Sequence, residues 1–441
     1  MDKWMRGAAV GVALLALGGC GIFRGGDKAR TPVVGERVPI LVAENELTAD
    51  PSIAEVGVLL PAPQANPAWT QPGGNAAKSM GHLALGESLS PVWNVTIQGS
   101  SNRARLAAAP VVADGRLYVV DTAGVVQALA ADTGARVWQT ATGKGEENQR
   151  SFFGGGVSFD NGRVYATNGV GDVVAMDATT GAEIWRAKPG GPLRGAPTIA
   201  NGNVFVQSQD NQLFALNQED GTVGWTQSAT LETQGVFGVA APAVGQGTVI
   251  AGFSSGELNA YRYENGRTLW QDTLSRTSIS TSVGALSDID AEPVIDGGRV
   301  YAVGQGGRMV ALELVSGQRL WEINIGGISS PWISGEWIFV VTDDARLLCI
   351  ARGSGKIRWI SQLSRYRNEK SKKGPIEWVG PLLAGGRLIV LNSRGEMVSA
   401  SAETGAVSAT VESGKGFTLP PVVANSMLYL LDDDGRLTAY R

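Results

Sequence analysis

Histidine is almost missing from this chain: its 441 residues include one, His82, beside two cysteines, Cys20 and Cys349. Ser–His–Asp and Cys–His mechanisms need an imidazole next to the nucleophile, so any such chemistry would have to be built around His82. One imidazole and two thiols cannot assemble a thiol–imidazole zinc cluster. Charge is scarce too. Asp, Glu, Lys and Arg make up 18%, and 37 basic against 41 acidic residues leave a net charge of −4. That balance excludes any general attraction to nucleic acid. The apolar run from Gly7 to Leu17 falls short of the roughly 20 residues that a membrane-spanning helix needs.

Glycine, by contrast, is abundant, with 60 residues, and much of it stands in a fixed frame. Small residues at Ala128, Ala175, Ala215, Ala260, Ala311, Cys349 and Ser399 are each followed six positions later by Gly134, Gly181, Gly221, Gly266, Gly317, Gly355 and Gly405. Four positions further on come Trp138, Trp185, Trp225, Trp270, Trp321 and Trp359, with Ala409 the one lapse. Self-similarity at a fixed spacing marks stacked structural units.

Each unit reads as four short strands. In the first copy, Ala109–Pro110–Val111–Val112 opens a strand, and Asp114–Gly115 signals a hairpin before Leu117–Tyr118–Val119–Val120. Asp121–Thr122–Ala123–Gly124 turns the chain into Val125–Leu129, and Asp132–Thr133–Gly134 turns it again toward Trp138. Short runs rich in Val, Tyr and Trp between Gly, Asp and Asn are strand signals without helical periodicity. The opening recurs at Val157, Pro197, Pro242, Pro293, Pro331, Pro381 and Pro421, making eight, with a mean period of about 44 residues. The eighth copy reaches its small residue, Ala439, but the chain stops at Arg441 before a fourth strand. A spare strand bearing a tryptophan, Val92–Trp93–Asn94–Val95–Thr96, lies at the other end. The expectation is an all-β, eight-bladed propeller of four-stranded antiparallel blades, closed by pairing of its N-terminal and C-terminal strands.

Met1–Arg6 followed by the apolar run is a secretory signal pattern. Leu17–Gly18–Gly19–Cys20 resembles the bacterial lipobox, which implies a signal peptide over 1–19, lipidation at Cys20 and anchoring in a membrane. Gly21 at the next position is similar to lipoproteins sorted to the outer membrane. Residues 20–87, rich in Pro, Gly, Ala and Asn, read as a tether, with Val56–Leu60 apolar enough to dock. The propeller is expected over 88–441.

Candidate chemistry within the repeats resolves into structure. Cys349 occupies the small-residue column, and Asp432–Asp433–Asp434–Gly435 coincides with a hairpin turn. Arg365 through Lys373 is the one basic cluster. Long connections between blades, all joining a fourth strand to the next first strand, share one rim, where binding commonly sits. Two of them are apolar: Val236–Phe237–Gly238–Val239 and Ile279 through Leu286.

Lipobox, tether and eight Ala–x5–Gly–x3–Trp repeats resemble the BamB lipoproteins of the outer-membrane β-barrel assembly machinery. Leu286–Ser287–Asp288–Ile289–Asp290 before Pro293 is similar to a loop of that family. The resemblance implies no enzymatic activity and no cofactor or metal. It implies a scaffold in the periplasm that docks a POTRA domain of the barrel subunit BamA and helps unfolded outer-membrane proteins to insert. Carried over, Asp288 and Asp290 match an acidic pair, Leu286 and Ser287 lie in the same loop, and Val236 and Phe237 fall near a second contact. No arginine stands at the corresponding place there, which implies a more apolar contact. Two alternatives stay open: a dehydrogenase-like propeller dependent on pyrroloquinoline quinone, and an envelope glycan binder using Trp332, Trp337 and Trp378.

Overall fold

Eight four-stranded antiparallel sheets follow one another along the chain, one per repeat. The computed structural model describes residues 47–143, 154–231, 240–274 and 288–441. Blades 1 to 7 span residues 111–141, 157–187, 193–228, 243–273, 294–323, 332–362 and 378–412. Blade 8 joins Val422–Ala424, Met427–Leu431 and Arg436–Tyr440 to Pro91–Thr96 from the far end of the sequence. Trp93 stands opposite Ala439, and Ser90 and Arg441 exchange backbone hydrogen bonds of 2.8 and 3.0 Å. The expected closure is therefore present.

Register explains the small-residue column. Ala128 lies between Tyr118 on the second strand and Trp138 on the fourth. Ala175 lies likewise between Tyr165 and Trp185, and Ala439 between Tyr429 and Trp93. Strands two apart are separated by roughly 9.5 Å, yet the Tyr118 and Trp138 ring centroids are 5.9 Å apart. The two rings lean over the small side chain and touch. A larger residue in that column would hold them apart.

Every repeat tryptophan then reaches into the next blade. The indole N–H of Trp93 donates to the Ala131 carbonyl of blade 1, and Trp138 donates to Ala178 of blade 2. The series continues through Trp185, Trp225, Trp270, Trp321 and Trp359, at 2.8 to 3.1 Å. Each acceptor stands three residues before the repeat glycine of the neighbouring blade. That glycine is required on two counts. At Gly221 φ is +75°, and a Cβ would lie 2.5 Å from the Trp185 ring. The lapse at Ala409 follows from the same geometry, because blade 8 takes its fourth strand from the N-terminal end and has no glycine turn for blade 7 to grip.

Residues 47–87, expected as part of the tether, form a strap across the ring. Each blade's first and third turns open on one face, and the strap lies there. Its circuit visits every first strand. Asn66 bonds Val423 and Asn425 of blade 8, and Trp69 and Val112 of blade 1 exchange backbone bonds of 2.7 and 2.8 Å. The Thr70 carbonyl accepts from Phe159 in blade 2, and the Gln71 amide pairs with both backbone groups of Ile199 in blade 3, each at 2.9 Å. Ala76 and Ala77 accept from Val244 and Ile295 in blades 4 and 5. Gly81 takes the Trp332 indole of blade 6, and Leu83 bonds Leu383 and Gly385 of blade 7. In every blade except 6 the strap meets the second residue after the repeat's opening position, and in blades 7 and 8 the fourth as well. Inner strands are sheet edges whose buried N–H and C=O groups need partners, and the strap supplies them. Val58 docks in the core beside Trp337 and Trp359, with Leu60 packed against it, whereas Val56 and Leu59 of the same stretch stay exposed.

Two outcomes follow. Gly221→Ala combines a strained φ with a clash and should cost about 2 to 4 kcal/mol in denaturant unfolding; a loss below about 0.5 kcal/mol would contradict the joint. Gln71→Leu strands the N–H and C=O of Ile199 and should cost about 2 kcal/mol or more, with faster amide exchange at Ile199 in hydrogen-exchange mass spectrometry.

Candidate functional site

The second turn of each blade and the connection to the next blade open on the face opposite the strap. On this loop face the chain re-enters blade 5 through Asp288–Ile289–Asp290. Alternation along an extended segment sends Ile289 one way and both aspartates the other. Ile289 is fully buried, and a Cβ on Gly252 would come 2.4 Å from it. Its backbone N–H donates to Phe253, and the Asp288 carbonyl accepts from Gln305.

The two carboxylates converge on Arg194, which enters blade 3. One guanidinium nitrogen donates to Asp288 Oδ1 at 3.0 Å and to Asp290 Oδ1 at 3.2 Å. Side-chain exposures are 4% for Arg194, 2% for Asp288 and 9% for Asp290, so the cluster is shut away from bulk water. Burial, reinforced by the charge of Asp288, pushes the Asp290 carboxyl well above the ordinary carboxylate range. The acidic pair read from the sequence is thus together, but in this structure it faces inward. It ties the end of the blade 4–5 connection to blade 3, across blade 4. Leu286 and Ser287 of the same loop, Val236 and Phe237 of the other, and Cys20 lie outside the described residues.

Other sequence candidates find structural places. Trp337 and Trp378 are buried, and Trp332 stacks on Trp69 at 6.3 Å. The aromatics suggested for a glycan site are therefore packed into the blades and strap. His82 has both ring nitrogens engaged: Nδ1 donates to the Pro61 carbonyl at 2.7 Å, and Nε2 accepts from the Gly386 N–H at 2.9 Å. Burial pushes the Cys349 thiol far above its usual range, leaving little reactive thiolate. The basic cluster forms an exposed hairpin of Tyr366–Asn368 and Lys373–Pro375, its turn held by Glu369 accepting from the Arg365 and Tyr366 backbones.

Two components escaped the sequence reading. Arg194 could have been noticed as a lone charge just before the apolar opening of blade 3. Lys78 of the strap gave no signal, yet it is buried, donating to the Pro72 carbonyl and Thr198 Oγ1 at 2.9 and 3.2 Å. Together with Trp69, Asp290 and Glu292 it lines a central cavity of about 370 Å³.

Comparison with known proteins agrees with this architecture. A family profile described as "Outer membrane protein assembly factor BamB" matches residues 84–152, 123–361 and 362–441. The assembly factor BamB of Xanthomonas campestris is 30% identical over 391 residues, covering 79% of this chain and 85% of its own. That of Escherichia coli K12 is 28% identical over 367 residues, covering 74% and 82%. Among solved structures, BamB from Moraxella catarrhalis superposes with a TM-score of 0.66 at 18% identity, covering 80% of this chain and all of its own. A quinohemoprotein alcohol dehydrogenase from Comamonas testosteroni reaches 0.65 at 15%, covering 85% and 80%, a likeness of fold alone. With the profile matching nearly the whole ring, the chain belongs to the BamB family of outer membrane protein assembly factors.

Proposed function

We propose that this chain is a non-catalytic scaffold for outer-membrane protein assembly. Anchored through a lipid on Cys20, it would hold its ring in the periplasm and dock a POTRA domain of a BamA-like subunit through the loop face, assisting unfolded outer-membrane proteins. The observation that carries this reading is the match of nearly the entire ring to a family of assembly factors. The loop face supports it: Leu231 is 66% exposed beside the 232–239 connection, and the Arg194–Asp288–Asp290 latch secures the base of the next one. On this reading the latch acts indirectly, by fixing where Leu286 and Ser287 are presented. Val236 and Phe237 supply the apolar half of the contact.

A quinone-dependent dehydrogenase fits less well. Pyrroloquinoline quinone is a polyanion, and the channel wall sets Asp290, Glu292 and Glu377 against only Lys78 and Arg105. Among the described residues no three His, Cys, Asp or Glu side chains converge as a metal site would need.

Binding of the full chain to the purified periplasmic domain of the barrel subunit tests the docking face. Phe237→Asp should weaken it about tenfold or more. Val315→Asp, at a 74% exposed residue in a turn on the strap face, should leave it unchanged; the reverse pattern would overturn the assignment. The latch has its own signature in pH. Asp290 binds its proton more tightly folded than unfolded, so its contribution to stability falls as pH rises from the acid range toward neutrality. Asp290→Asn should gain thermal stability relative to wild type as pH climbs through that window. A growing deficit would refute it.

A further inference from the structure

The strap converts the central channel into a pocket with a floor. Trp69, Pro72, Gly73 and Lys78 close it from the strap face, and residues entering the first strands form its walls, leaving about 370 Å³. That is within the size range of small-ligand sites. Ala108, Ala196, Ala240, Leu382 and Pro421 make much of the wall apolar.

One polar group on that wall is an acceptor without a donor. Gln305 Oε1 is buried and has no hydrogen-bond partner among the described residues. Lys78 gives its hydrogen bonds to Pro72 and Thr198, and its charge acts on Glu292 without a direct ion pair. Gly73 preserves the space between them: at φ +69°, a Cβ there would meet Lys78 carbons and come 3.0 Å from Glu292 Oε2. Charge is also out of balance. Among the described residues with little exposure on or beside the wall, Lys78 and Arg194 face Asp288, Asp290 and Glu292, while Arg105, Asp343 and Glu377 are exposed. Buried carboxylates in excess of cations are costly unless a counter-charge joins them. The stacked indoles of Trp69 and Trp332 complete the lining, and aromatic rings attract cations.

We propose that this pocket binds an organic cation, an ammonium or guanidinium group carried on an apolar stem. The charged head would be held by Glu292 and Gln305, and the stem by the alanine wall and the indoles. Burial raises the carboxyls of Asp290 and Glu292 above their ordinary range; the charge of Asp288 adds to this at Asp290, while Lys78 opposes it at Glu292. The site is separate from the docking contact, so either can fail without the other. The same chemistry could be presented by a free amine or by a lysine side chain on a protein segment.

Isothermal titration of the full chain with benzylamine tests the class, with benzyl alcohol as a neutral match in shape. An acetylated Gly-Lys-Gly amide and its norleucine counterpart form the second arm. Benzylamine should bind one to one and perturb indole fluorescence, with benzyl alcohol weaker by about tenfold or more. Glu292→Gln should weaken the amine about tenfold. Gln305→Met, similar in length, removes the unpaired acceptor together with the amide N–H groups and should weaken it severalfold while leaving the unfolding midpoint close to wild type; it carries the test if Glu292→Gln fails to fold. Binding of the amine alone identifies a small solute, and of the lysine peptide alone a protein side chain, and both support the proposal. It is overturned if benzyl alcohol binds as well as benzylamine, if neither amine nor lysine peptide binds up to about 10 mM, or if the folded variants bind as wild type does.

Discussion

The hydrogen bond from a tryptophan indole to a carbonyl in the adjacent blade governs this molecule. One side chain must lean across a small residue toward an aromatic in its own sheet, then deliver its N–H to a glycine turn in the next. Each of these demands fixes a position in the sequence, and their sum is the repeat. A tryptophan buried without a hydrogen-bond partner would be a liability; here the joint satisfies the N–H and buries the ring together. Because the donor always faces the same way around the ring, the joints form a directed series that begins at Trp93 and ends at Gly405. One seam, between blades 7 and 8, lacks the joint and relies on packing and on the strap.

The strap sets the two faces apart. One is sealed by a chain segment that borrows the inner edges of all eight blades. The other keeps the variable connections and the Arg194 latch.

Blade number, strand order and ring closure were legible because they are written in local spacing, and a missing fourth strand after Ala439 pointed directly to Trp93. The strap was not legible, for a physical reason. Its contacts use mostly its own backbone, which leaves no side-chain pattern, and Pro and Gly suit both an extended tether and an extended segment lying in a groove. The acidic pair was found, but its orientation was not. Asp288 and Asp290 look the same in sequence whether they face a partner or an arginine 94 positions away. The aromatics weighed for a glycan site are ambiguous for a similar reason: Trp332, Trp337 and Trp378 sit at strand starts, where alternation decides between solvent and core.

The strap also imposes an order of events. Its resting place is assembled from strands as distant as Val423, 357 positions from Asn66. The segment made first therefore has nowhere to settle until synthesis of the chain is nearly finished. Contacts so remote in sequence are slow to form. The strap can therefore complete its circuit only once the blades that receive it are in place.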